Sequence, residues 1–181
     1  MKKILFILAV AIVVASCTTS KEATAGRQEQ RKEKKLAEQT AIKQAIESRR
    51  YIIKVNRINM GTGGFAQLIP RLNYIIVDGE ITSVSLGYLG RSYGSRRITG
   101  LNFNGHTIKY ELLSKETKGM FEVNMKVAKG NDSFNFYITI SPSGSCTFSV
   151  TNQFIQTVTY YGDVVPVTVA ENQGVKRDQS N

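Results

Sequence analysis

Tryptophan is absent from this 181-residue sequence, histidine occurs once, proline three times and cysteine twice. Each shortage removes a class of chemistry or architecture. A single histidine, His106, rules out a zinc site built on several imidazoles. It is also a poor candidate for a general base, because no partner residue is assigned to it by spacing. The longest apolar run, Ile4 to Val14, falls well short of the roughly 20 residues that a membrane-spanning helix needs. No spaced acidic cluster is present: Asp78, Asp132 and Asp163 each fall in or near a turn-like segment. The sequence therefore offers no catalytic residues, no metal ligands and no cofactor motif. "GTGGF" at 61–65 lacks the Lys-Ser/Thr of a phosphate loop, and "SPSGSC" is not a nucleophile elbow. A hydrolase using carboxylates that meet only in the folded chain is the third and weakest reading.

What is present begins with an export signal. Lys2 and Lys3 precede the apolar run, and Val14-Ala15-Ser16-Cys17 follows it. This order describes a secretory signal peptide over residues 1–16. The last four residues resemble a bacterial lipobox, which makes Cys17 the site of lipid attachment. A lipoprotein's multiple acyl chains hold a membrane firmly, since each buried CH₂ contributes about 0.8 kcal/mol. Thr18, rather than Asp, follows the cysteine, and few acids stand nearby. By resemblance to sorting rules, this points to the outer membrane, on the periplasmic face rather than the cell surface. Lipidation of Cys17 leaves Cys146 alone, so no intramolecular disulfide forms and the fold stands on its own core. Whether Cys146 pairs with another chain is open.

The net charge of +10 falls to +8 without Lys2 and Lys3. Half of that excess lies between residues 18 and 50 and half between 51 and 170. Basic groups near an anionic membrane gain about 1 kcal/mol each, although a solvated lysine-rich helix face gives the same pattern. Residues 17–27 read as a lipid-anchored tether, small and polar, and residues 28–50 read as a helix without Gly or Pro. Its second half carries a narrow apolar stripe of Leu36, Ala41, Ile42, Ala45 and Ile46, suited to docking on a sheet.

From Tyr51 the hydrophobic period becomes two. Phe121, Val123, Met125 and Val127 alternate with polar residues, as do Phe134, Phe136, Ile138 and Ile140, and then Cys146, Phe148 and Val150. Such alternation marks half-buried antiparallel strands. "AKGND" and "SPSGS" supply turns between them. Asn104-Gly105 in "NFNGHT" reads as a two-residue hairpin turn that pairs Phe103 with His106 and Leu101 with Ile108. "VDGEI" is a second hairpin candidate. The fold class is mainly β: about eight to ten strands in one antiparallel meander over residues 51–170, forming a sandwich or barrel behind one N-terminal helix. Residues 171–181 read as a disordered tail.

"SLGYLGRSYGSRR", residues 85–97, holds three glycines, two tyrosines, three arginines and no acid. Glycines within strands mark bulges and close backbone approach, so a sheet corner takes precedence. As a site, the stretch would display Tyr88, Arg91 and Tyr93, with Arg96 and Arg97 beside them, to an anionic or glycan-like ligand or a partner protein. Stacking on single-stranded nucleic acid uses similar residues, but export removes that partner.

The longer stretch "FAQLIPRLNYIIVDGEITSVSLGYLGRSYG" resembles the central motif of bacterial lipoproteins in the domain-of-unknown-function family numbered 4251. Leu86-Gly87-Tyr88-Leu89-Gly90-Arg91 stands where that family has a Leu-Pro-Tyr-Phe-Gly-Arg-like run, with Gly87 for proline and Leu89 for phenylalanine. Tyr160-Tyr161-Gly162 is similar to the family's closing strand. Over roughly residues 40–165, the resemblance implies lipid attachment and a β-rich domain, and brings no activity or catalytic residues. The sequence thus supports an exported, lipid-anchored envelope protein, non-enzymatic and without cofactor, that binds a ligand or partner. The alternative is a structural scaffold subunit of an envelope assembly.

Overall fold

Residues 19–60, 63–93, 97–115 and 119–167 are described by the structure, a computed structural model. The chain divides into two compact units, Met1–Glu38 and Gln39–Asn181. Helix α1, Thr19–Glu47, starts in the first and ends in the second. Residues 19–27 are therefore helical, not an open tether. Lys, Glu and Ala there are strong helix formers, and one glycine costs only about 1 kcal/mol relative to alanine. The helix also stops short of residue 50, because Arg49 turns into the left-handed region at φ 56° and Arg50 begins a strand. Of the expected apolar stripe, Ile42, Ala45 and Ile46 are buried, whereas Leu36 and Ala41 are exposed. Cys17, the signal segment and residues 171–181 lie outside the described residues.

Nine strands follow: β1 Arg50–Asn59, β2 Phe65–Gln67, β3 Tyr74–Asp78, β4 Ile81–Gly87, β5 Gly100–Lys115, β6 Met120–Lys129, β7 Asp132–Ile140, β8 Ser145–Asn152 and β9 Ile155–Pro166. Each pairs antiparallel with its neighbour, and β9 returns to β1 from Tyr51↔Pro166 through Asn59↔Thr159. The sheet therefore closes into a barrel rather than splitting into a sandwich. β3 and β2 pair with successive halves of β1, Arg50–Lys54 and Arg57–Asn59, so they share one place in an eight-position barrel. Closure leaves no long uncovered edge among the described strands.

The alternating residues fill the interior. Val123, Phe136, Ile138, Phe148 and Val150 are at most 2% exposed, and Phe121 packs against them half-buried. Phe103 stacks on Phe134 at 4.6 Å and Phe148 on Tyr160 at 5.0 Å between ring centres. An eight-stranded barrel is just wide enough for side chains to fill, and these rings and aliphatic groups occupy the interior of this one. At the α1 end, the Tyr110 hydroxyl donates to the Ile46 carbonyl (3.0 Å), an acceptor in the last helical turn. The Tyr51 hydroxyl, 3.3 Å from that of Tyr110, completes the chain.

The turn expected at Asn104-Gly105 does not exist. β5 runs unbroken through it, pairing residues 100–106 with β4 and 106–115 with β6. Gly105 serves close approach instead: a Cβ there would collide with the Ala128 carbonyl and Val127. A bulge then leaves Ile108 unpaired and 59% exposed. His106 faces solvent on the opposite side from Phe103, not the apolar face. "VDGEI" is the true hairpin, with Asp78 paired to Ile81 around Gly79-Glu80.

Candidate functional site

At the barrel mouth opposite α1 lie residues 88–93 and 97–99, the described parts of the connection between β4 and β5. This segment joins neighbouring strands β4 and β5, yet it bonds to the start of β9, which adjoins neither. The Tyr93 amide donates to the Phe154 carbonyl (2.8 Å), and the Gln156 amide donates to the Arg91 carbonyl (2.8 Å). Ser92 and Ile155 form an antiparallel bridge between these bonds. The Arg91 amide adds a bond to the Gln156 side-chain oxygen (3.2 Å), and the Ile98 amide donates to Ser92 Oγ (2.9 Å). Glycine at 90 is required by contact: a Cβ would run into the Tyr88 ring and come within 2.8 Å of Val158.

Tyr88 is not displayed, contrary to its place in the expected surface. It is 2% exposed, and its hydroxyl lies within bonding distance of the Arg91 (2.7 Å) and Gln156 (2.8 Å) carbonyls, donating its single proton between them. Burial pushes this phenol above its ordinary value. Its role is to pin the strap from beneath. Arg91, Tyr93 and Arg97 are exposed above it; Arg96 lies outside the described residues. The strap thus behaves as a packed corner in its backbone while presenting three of the five expected side chains.

Around it, other connections at the same mouth add what the sequence did not mark. Ile69 and Leu72 before β3, Leu89 and Tyr93 on the strap, and Phe154 in the β8–β9 turn are 43–62% exposed. Arg71, Arg91, Arg97 and Lys129 also stand in these connections, against one acid, Asp132, among the described residues. The helix–β1 and β3–β4 connections at the other end balance Arg49 and Arg50 against Asp78 and Glu80. Apolar tips mixed with positive charge form a crown at this mouth. Topology assembled part of it, because residues 91–93 meet residues 154–156 only when β4 and β9 stand in one barrel.

A second feature lies on the outer wall. Parity along β1 would point Arg57 inward with Ile53 and Val55. A bulge at Asn56 breaks the register, Val55 pairing with Gly162 and Arg57 with Tyr161, so Arg57 turns outward and Ile58 resumes the core. Gly162 permits this, since a Cβ there would strike the Lys54 carbonyl. The connection 68–73 bonds the distorted backbone: the Leu68 amide donates to the Asn56 carbonyl (2.8 Å) and the Val55 amide to the Asn73 carbonyl (2.9 Å). The Arg57 guanidinium then sits 4.4 Å over the Tyr161 ring and 4.9 Å over that of Phe65. Its Nε is buried with no acceptor among the described residues. A buried unpaired donor costs about 1–3 kcal/mol, so such groups are rare in folded proteins.

The family model described as "Domain of unknown function (DUF4251)" matches residues 33–164. The chain belongs to this DUF4251 family. A crystal structure of a DUF4251 family protein from Bacteroides eggerthii DSM 20697 is similar, with a TM-score of 0.64, 14% identity, and coverage of 80% of this chain and 96% of that one. At such identity, the likeness speaks for the fold. No curated protein matches the chain.

The matched span of this DUF4251 domain contains both the crown and the Arg57 wall. No catalytic group is evident among its described residues, and no three His, Cys, Asp or Glu side chains there are placed to share a metal. Cys146 is 5% exposed, and burial, aided by the nearby Asp163 charge, pushes its thiol up to about 12. A thiol so held is protonated near neutrality and is a packing group, not a nucleophile.

Proposed function

We propose that this DUF4251 domain is a non-enzymatic envelope lipoprotein that captures an anionic partner at the crown. In this reading Cys17 carries the lipid, the protein sits at the outer membrane on its periplasmic face, and the barrel is a rigid frame. The observation that carries the reading is the pairing of a packed interior with a mouth that displays apolar tips and surplus positive charge. With the described core side chains packed in the interior, we assign recognition to the surface. Exposed apolar groups at one end mark an interaction surface, and arginine adds bidentate grip on carboxylate or phosphate.

The test compares wild type with Arg91→Ala in pull-downs from native membranes at two salt concentrations. Capture by wild type is expected to fall as salt rises, because exposed charges are screened. Arg91→Ala should fold normally and recover less partner. Undiminished recovery at both salt concentrations removes Arg91 from the account. A structural scaffold subunit is the second reading, favoured by the exposure of Ile69 (62%) and Leu72 (58%), which suits a lasting protein contact. Under that reading a partner co-purifies in fixed ratio even at high salt.

A further inference from the structure

We propose that the outer wall around Arg57 is a binding site for a carboxylate-bearing saccharide, separate from the crown. The argument begins with the guanidinium. Two rings hold it from opposite partners, Phe65 on β2 and Tyr161 on β9, and its Nε has no acceptor among the described residues. An arginine so clamped loses little freedom when it binds, and with Nε buried its two terminal Nη groups are the ones that can meet a carboxylate in two hydrogen bonds. The bulge at Asn56 is what brings this side chain out of the core, and bulges re-aim side chains in this way beside functional sites.

The surroundings specify more than an anion. Arg57 opens onto a hollow on the barrel wall whose floor includes Thr139, Ser141, Ser145 and Thr147. Cross-strand pairing sets Arg57, Tyr161, Thr147 and Thr139 in one row across β1, β9, β8 and β7. Asp163 lies at the margin, its carboxylate accepting bonds from Asn56 Nδ2 and Ser145 Oγ, both at 3.3 Å. A row of hydroxyls with a carboxylate beside it suits a ligand that carries several hydroxyls of its own. Phe65, 56% exposed, offers ring surface against which a sugar face can pack. Together these groups fit a sugar acid: carboxylate on Arg57, hydroxyls on the threonine–serine row and on Asp163.

The experiment titrates full-length protein with glucuronate and with glucose, following amide shifts by NMR. Glucuronate is expected to bind saturably and to move residues 57, 147 and 161, and glucose to bind at least about tenfold more weakly, as losing a hydrogen-bonded charge implies. Arg57→Gln should lose glucuronate binding by a similar factor. Arg57→Lys keeps the charge but not the fork and should fall between the two. Phe65→Leu, at an exposed position, should weaken binding several-fold while leaving the melting temperature in place, which separates loss of the site from loss of the fold. Absence of saturable glucuronate binding, equal binding of glucose, or binding unchanged in Arg57→Gln each overturns the proposal.

Discussion

The Tyr88 hydroxyl shares one proton between the carbonyls of Arg91 and Gln156, and through that contact one buried ring holds the strap across the barrel mouth. Removing the hydroxyl in Tyr88→Phe leaves a packed ring and two carbonyls short of a donor, one of which keeps the Gln156 amide. Stability should fall by about 1–2 kcal/mol, measured by chemical denaturation. Gly90 beside it tolerates no side chain, because the Tyr88 ring and Val158 occupy the space. Gly90→Val should destabilise the domain by more than about 1 kcal/mol, while Arg91→Ala on the exposed side changes it by less than about 0.5 kcal/mol. Similar losses for both would show that the strap is not divided into a pinned backbone and a free upper face. In the core, Phe136 is fully buried, and Phe136→Ala should cost about 3–5 kcal/mol.

Among the elements, legibility follows how local the cause is. The alternation in β6, β7 and β8 is written in their own residues, and those strands sit where the pattern puts them, with turns at "AKGND" and "SPSGS". Asn104-Gly105 misled because a glycine has two uses. A hairpin needs its freedom of φ, whereas β5 needs the absence of a Cβ where it passes Ala128. Sequence spacing does not separate the two, and the distant neighbour does. Arg57 was invisible for a related reason: its outward direction depends on a bulge in β1 that Gly162, over a hundred residues away, accommodates. The crown residues Ile69, Leu72 and Phe154 were likewise unmarked; Phe154 meets Tyr93 only because the closed sheet brings the start of β9 to the strap. Gly162→Ala should therefore disturb more than its own strand. It should destabilise the barrel and shift the amide resonances of Asn56 and Arg57, whereas a change confined to β9 would contradict the coupling of bulge and glycine.

For the whole molecule, the buried phenols and thiol predict how the barrel responds to alkali. Burial raises Tyr51, Tyr88, Tyr110 and Tyr160 above the ordinary 10.0, and raises Cys146 from 9.0 to about 12. In each case the folded state holds its proton more tightly than the unfolded chain. The stability they carry is complete below the unfolded values and is lost as pH rises through the folded ones. Denaturation midpoints should thus fall from about pH 9 upward. The tyrosinate absorbance of the buried phenols should appear together with unfolding; gradual titration of all eight tyrosines in an intact fold would mean a less tightly packed interior. At the other end of the chain, Cys17→Ala should prevent acylation and release the protein from membranes. Fatty-acid labelling that persists in this variant would remove the lipid anchor from the account.

Whether the barrel meets its proposed partner at the crown is read out by photo-crosslinking in native membranes. A photoreactive residue is placed singly at Leu72, Tyr93 or Phe154 around the mouth, and at Ile108 toward the other end as a comparison. All four positions are exposed, so none of the substitutions disturbs the core. The account predicts discrete adducts of one size from the three crown positions, weakened by Arg91→Ala and by salt, and none of that size from Ile108. Adducts from Ile108 with silence at the crown would contradict it.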